Sequence, residues 1–132
     1  MTSDCYCIVL RQAARKVSAS YDAALEPVGV NIAQFSLMRK VDRKGPISLT
    51  ELGRLTELDR STVGRNMRVL ERAGLVELKP GKDQREAEVV LTAAGQVVLS
   101  NGAPLWDAVQ ARIESALGPG NGEQLRTLIA AL

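Results

Sequence analysis

The side chains best placed to do chemistry lie between Asp59 and Arg72. Ser61, Arg65, Arg68 and Arg72 recur at intervals of four, three and four. On an α-helix that spacing lays them along one face, with Val63, Met67 and Leu70 on the other. A helix with an apolar back and an Arg/Ser front suits the major groove of duplex DNA. There an Arg fork bonds guanine O6 and N7, and Ser or Thr reaches bases or phosphates. Arg60, Ser61 and Thr62 fall in the first turn, where such helices commonly touch base edges. An ordinary solvated face with i,i+4 charge pairs has much the same composition, so the neighbouring elements must decide between the two.

Little else in the chain supports chemistry. There is no histidine, which removes the usual Ser-His and Cys-His pairs and the commonest zinc ligand. No Gly-rich loop follows a strand and opens a helix as a phosphate cradle requires, and Gly118-Pro119-Gly120 reads as a linker. No enzymatic activity, cofactor or metal site is expected. Cys5 and Cys7 are the only thiols. Two residues apart on a helix they point about 200° from each other, so a bond between them needs local unwinding. Packing, thiol sensing and capture of a soft metal or metalloid all remain open for them.

The elements around the Arg face come in a telling order. Ser48 with Glu51 makes a capping box for a short helix carrying Leu49, Leu52 and Leu55 inward, and Thr56 to Leu58 form a tight turn. Asp59 caps the Arg-bearing helix, and Gly74 supplies its left-handed end. Two alternating segments follow, Leu75 to Lys79 and about Ala87 to Leu91, around a turn opened by Pro80-Gly81 with Lys82, Asp83 and Arg85 at its tip. Helix, turn, helix and basic hairpin together form a winged helix-turn-helix. A solvated hairpin tip is the plain alternative for Lys82 and Arg85.

The flanks are helical. From Asp4 to Glu26, Tyr6, Leu10, Ala13, Val17, Tyr21 and Ala24 form an apolar stripe, broadened by Ile8, Val9, Ala14 and Leu25, before Pro27 and Gly29 end the helix. That width suggests more than one neighbour, a partner subunit included. Asn31 and Gln34 open a second helix burying Ile32, Phe35, Met38 and Val41, stopped at Gly45-Pro46, and Ile47 suits a single bridge. Thr92 caps a long helix with Val97, Val98, Leu105, Val109 and Ile113, bent near Asn101 to Pro104. Asn121 and Gln124 suggest another capping box, for a terminal helix with Leu125, Leu128, Ile129 and Leu132.

With 132 residues and 3% aromatics, the chain has room for one domain and little aromatic core, which favours pairing with a second copy. A net charge of +2 is too small to argue for nucleic acid by itself, so placement carries that case. The N-terminus lacks a signal-peptide pattern, and the uncharged run Val89 to Trp106 is interrupted by polar residues, glycines and Pro104. A cytoplasmic protein without a membrane span is expected.

The run SLTELGRLTELDRSTVGRNMRVLERAGLVEL resembles the helix-turn-helix of the MarR family of bacterial transcription regulators. Asp83-Gln84-Arg85 followed by Leu91-Thr92 and Gly95 is similar to that family's wing signature. The flanks fit in length and position, so the resemblance covers nearly the whole chain. It implies a homodimer built mostly from the first and last helices, with two recognition helices in successive major grooves of a pseudo-palindromic operator. It also implies that Arg85 reaches the minor groove while Asp83 helps hold the wing tip. A small-molecule effector or an oxidant then alters the spacing of the two reading heads, usually releasing DNA, and most members are repressors. The implied ligand pocket lies between the first helix, the Asn31 helix and the helix after Thr92.

Within the branch that senses organic hydroperoxides, Cys7 matches the reactive cysteine and Tyr21 matches one of its tyrosines. Arg11 stands where the other tyrosine is expected. The resemblance thus leaves an alternative standing: a thiol-based redox or soft-metal handling protein using Cys5 and Cys7 on a winged-helix scaffold. A winged helix used only for protein contacts is a third reading.

The expectation is therefore a mainly α, α+β fold: a single domain over 1–132, with dimerisation helices at 1–30 and 96–132 and a winged helix-turn-helix lobe at 31–95. Arg60, Ser61, Thr62, Arg65, Arg68, Lys79, Lys82 and Arg85 are the expected DNA-contacting residues, with Asp83 supporting the wing.

Overall fold

A computed structural model describes residues 4–82 and 86–132. Helix α1 (Tyr6–Leu25) ends in a 3-10 turn (Glu26–Val28) and is followed by α2 (Ile32–Lys44). The Asn31 capping box forms in full: its side chain accepts the Gln34 amide hydrogen, and Gln34 accepts that of Asn31. Asp22 on α1 adds a third contact by accepting from the Ile32 amide at 2.8 Å, which fixes where α2 starts relative to α1.

Strand β1 (Ile47–Ser48) leads into α3 (Leu49–Thr56) and α4 (Arg60–Arg72), and then into β2 (Val76–Pro80) and β3 (Ala87–Leu91). The expected single bridge at Ile47 is a two-residue strand, which turns the hairpin into a three-stranded antiparallel sheet of order β1-β3-β2. Val76 lies opposite Leu91, and Leu78 opposite Val89, as the alternation requires. Pro80 closes β2 opposite Ala87 rather than opening the turn. Gly74, at φ +77, reverses the chain between α4 and β2. There the Thr92 hydroxyl donates to the Gly74 carbonyl at 2.7 Å while accepting the Gly95 amide at 3.0 Å. One side chain thus joins the end of α4 to the start of the next helix.

That helix, α5 (Ala93–Leu117), is continuous through Pro104. The expected boundary at residue 96 therefore falls inside α5. α5 contributes Gly102 to the lobe's core, where a Cβ would lie 2.6 Å from Phe35 Cε2. The core joins Leu25, Phe35, Met38, Leu52, Val63, Met67 and Val89 from α1, α2, α3, α4 and β3. In α6 (Asn121–Ala130) the cap differs from expectation. Gly120 is the N-cap, with no side-chain hydrogen bond, because Asn121 donates back to the Leu117 carbonyl.

The apolar stripe of α1 also differs from a core helix: only Tyr21 and Leu25 are buried. Tyr6 is 86% exposed, and Ile8, Val9 and Leu10 are exposed with it. On α6, Leu128 is 61% exposed beside exposed Leu125 and Ile129. Among the described residues no helix is long and apolar enough to cross a membrane.

Candidate nucleic-acid interface

The back of α4 is anchored by Val63, Gly64, Met67 and Leu70, all buried. Its outer face carries Ser61, Arg65, Arg68 and Arg72, all exposed, so the spacing read from the sequence becomes a solvent-facing cationic stripe. Among the described residues no carboxylate forms an ion pair with Arg60, Arg65, Arg68 or Arg72. Arg65 Nη2 donates to the Thr62 hydroxyl at 3.3 Å. Cations on a fixed helix face that are not held by a carboxylate can meet phosphates or base edges without first breaking a salt bridge.

The first turn is held by Asp59. Its Oδ1 accepts both the Thr62 amide hydrogen and the Ser61 hydroxyl, each at 2.7 Å. The Ser61 bond first, then those from Thr62, hold the Asp59 carboxyl down to about 2. The tight turn before it places Glu57 in the left-handed region at φ 56, and the Glu57 amide donates to the Gly53 carbonyl. α3 and α4 are thereby brought together, with Gly53 close against Val63.

On the wing, Lys79 and Lys82 are both exposed. Lys79 has a loose contact with Glu77, at 3.9 Å. Asp83 and Arg85 lie outside the described residues. Two wing carboxylates escaped the sequence reading. Glu86 Oε1 accepts the Thr50 amide hydrogen at 3.2 Å, and Glu88 Oε1 accepts that of Lys82 at 3.2 Å. The Ser48 box is correspondingly one-sided: Ser48 accepts from the Glu51 amide, but the Glu51 side chain turns to Arg54. No local pattern signals Glu86, because its partner lies 36 residues away.

The expected three-helix pocket is a groove between α2 and α5 alone, of about 300 Å³, lined by Phe35, Arg39, Arg43, Leu99 and Trp106 among others. α1 does not line it because Tyr21 packs inward toward Trp106, with ring centroids 6.4 Å apart, and its hydroxyl donates to Gln110. Burial raises the Tyr21 phenol above its ordinary value. The Arg39 guanidinium lies 4.2 Å over the Trp106 ring, and Gln96 reaches Asp42 at 2.7 Å, so polar contacts bridge the groove.

Cys5 and Cys7 are both free and exposed at the start of α1. Fourteen residues along the same continuous helix put Tyr21 about 21 Å from Cys7. Within one chain, the tyrosine and the thiol are not brought together. Among the described residues no group of three or more His, Cys, Asp or Glu is placed to hold a metal.

A cationic helix packed on a second helix, with a β-hairpin after them that joins a three-stranded sheet, defines a winged helix-turn-helix protein. A family model described as MarR family matches residues 28–86. The fold is similar to that of the M. tuberculosis transcriptional regulator MosR, crystallised in complex with DNA: 34% identity, TM-score 0.88, covering 97% of this chain and 92% of that one. It is also similar to a probable transcriptional regulator from Pseudomonas aeruginosa, at 26% identity and TM-score 0.89, covering 97% and 96%. An uncharacterised HTH-type transcriptional regulator of Bacillus subtilis, YwoH, is 32% identical over 83 residues, which span 63% of this chain and 61% of that relative. The chain belongs to the MarR family.

Proposed function

We propose that the protein is a dimeric, sequence-specific regulator of transcription that binds a pseudo-palindromic site in duplex DNA. The observation that carries this reading is the outer face of α4: exposed arginines with no ion pair among the described residues, opposite a fully buried back. Ser61, Thr62, Arg65 and Arg68 read the major groove, with Arg60 beside them in the first turn. Lys79 and Lys82 contact phosphates. Arg85 reaches the minor groove, with Asp83 holding the tip. The DNA complex of the MosR relative supports duplex DNA as the partner.

The exposed apolar residues of α1 and α6 support a second copy as the cover of these helices, with 1–30 and 96–132 as the pairing frame and 31–95 as the reading head. Two heads related by a two-fold axis meet two half-sites about one helical turn apart. The protein acts as a repressor in the cytoplasm, where its operator lies, and a small molecule seated between α2 and α5 favours the dimer state whose heads do not fit that operator. Trp106, the sole tryptophan, lines that groove and reports its occupancy by fluorescence.

Footprinting on DNA flanking its own gene tests the reading. Two protected patches about one turn apart, weakening as salt rises, support it; the absence of salt-dependent affinity for any duplex contradicts it and favours a winged helix used for protein contacts.

The exposure of both thiols favours a second reading, in which oxidation or a soft metal at Cys5 and Cys7 provides the signal or the principal activity. Mass spectrometry after mild peroxide, with and without Cys7→Ser, decides it. An unmodified thiol and unchanged DNA affinity remove it.

A further inference from the structure

Strand β1 supports the wing at two residues of β3. Its pairing with β3 runs from Ile47 opposite Val89 to Ser48 opposite Glu88, and there the chain turns into α3. Beyond Glu88, toward the tip, no strand pairs with β3 on that side among the described residues. The half-buried Glu86 side chain continues the connection by accepting the Thr50 amide hydrogen in the first turn of α3. α3 consequently has two caps: Ser48 on the Glu51 amide and Glu86 on the Thr50 amide. On the hairpin side, the Glu86 carbonyl accepts the Gly81 amide at 3.0 Å, so the same residue closes the hairpin and ties it to the helix pair.

We infer that Glu86 is a positioning residue that sets the height of the wing against the helix-turn-helix, and so couples wing contacts to α4 contacts on DNA. The inference rests on the DNA-binding reading above. The tie has an opposing effect. A carboxylate next in sequence to Arg85 brings negative charge toward the phosphates, which lowers affinity while the hydrogen bond improves geometry. A residue acting by charge alone would show only the first effect.

Glu86→Gln and Glu86→Ala separate the two. Both remove the charge, but only glutamine keeps an acceptor for the Thr50 amide. In the free protein, Thr50 amide hydrogen exchange is expected to stay near the parent rate in E86Q and to rise several-fold in E86A. On promoter DNA from its own gene, at fixed salt, E86Q is expected to bind as tightly as the parent or a few-fold more tightly, with the wing footprint retained. E86A is expected to lose the outer, minor-groove protection while keeping the α4 protection in the major groove. Equal exchange rates, or equal footprints, for E86A and E86Q overturn the inference. If the parent binds no duplex, the DNA-binding reading fails instead, and the exchange rates still report whether the tie exists.

Discussion

The hydroxyl of Ser61 donates to Oδ1 of Asp59 at 2.7 Å, the same oxygen that accepts the Thr62 amide hydrogen. The cap that starts α4 and the serine expected to face DNA are therefore one unit. With its hydrogen turned to Asp59, Ser61 offers only lone pairs outward, which suits base amino groups better than phosphates.

The Asp59 carboxyl, held to about 2 against an ordinary 3.8, is charged in the folded state at lower pH than in the unfolded chain. Its contribution to stability is complete above the unfolded value and is lost as pH falls from about 3.8 through about 2. Ser61→Ala removes the largest cause of the shift. A carboxyl titration followed by NMR should show the Asp59 midpoint moving from about 2 toward 3.8 in S61A, with no change in neutral-pH helix content.

Two buried glycines should respond to alanine with opposite signs. At Gly64 in α4 an added Cβ meets nothing nearer than the flexible Arg68 Nη1 at 3.9 Å. G64A should therefore gain most of the helix preference of alanine, about 1 kcal/mol. At Gly102 the Cβ falls 2.6 Å from Cε2 of Phe35, which is wholly packed. Overpacking of about 1–3 kcal/mol then outweighs the same propensity gain, and G102A should be less stable. Urea denaturation of the two variants checks both signs.

Pairing through α1 and α6 predicts a species of twice 14.2 kDa in sedimentation. Leu128→Glu places a charge in that interface once per chain. Each buried leucine lost costs about 1.5–3 kcal/mol, and two-fold symmetry counts it twice. The dimer's dissociation constant should rise by at least about a hundredfold, on the order of the lower bound of that cost. An unchanged sedimentation profile would place the interface elsewhere.

Local patterns carried most of the fold into view. Asn31 with Gln34, Asp59, Gly74 and Thr92 signal their helix ends through short-range hydrogen bonds, and all four act as expected. Asn121 fails because a competing local bond, to Leu117, was equally near. Period-two alternation signalled the two wing strands, while their register, with Val76 opposite Leu91 and Leu78 opposite Val89, is set by the pairing itself. What depends on distant partners stayed hidden: the extension of the Ile47 bridge by Ser48, Glu86 on Thr50, Arg39 over Trp106, and the inward turn of Tyr21 that excludes α1 from the groove. The stripe of α1 was legible as apolar, but periodicity does not say whether its cover is the chain's own core or another copy.

The central claim, that the exposed face of α4 reads base edges, is tested most directly by the affinity of Arg65→Ala for the protein's own operator beside that of Lys79→Ala. At fixed salt R65A should lose about 1–3 kcal/mol on the operator, roughly 5- to 150-fold, and little on random duplex. K79A should weaken both to a similar degree and reduce the salt slope by about one. If R65A binds the operator as tightly as the parent, α4 does not read DNA through this face.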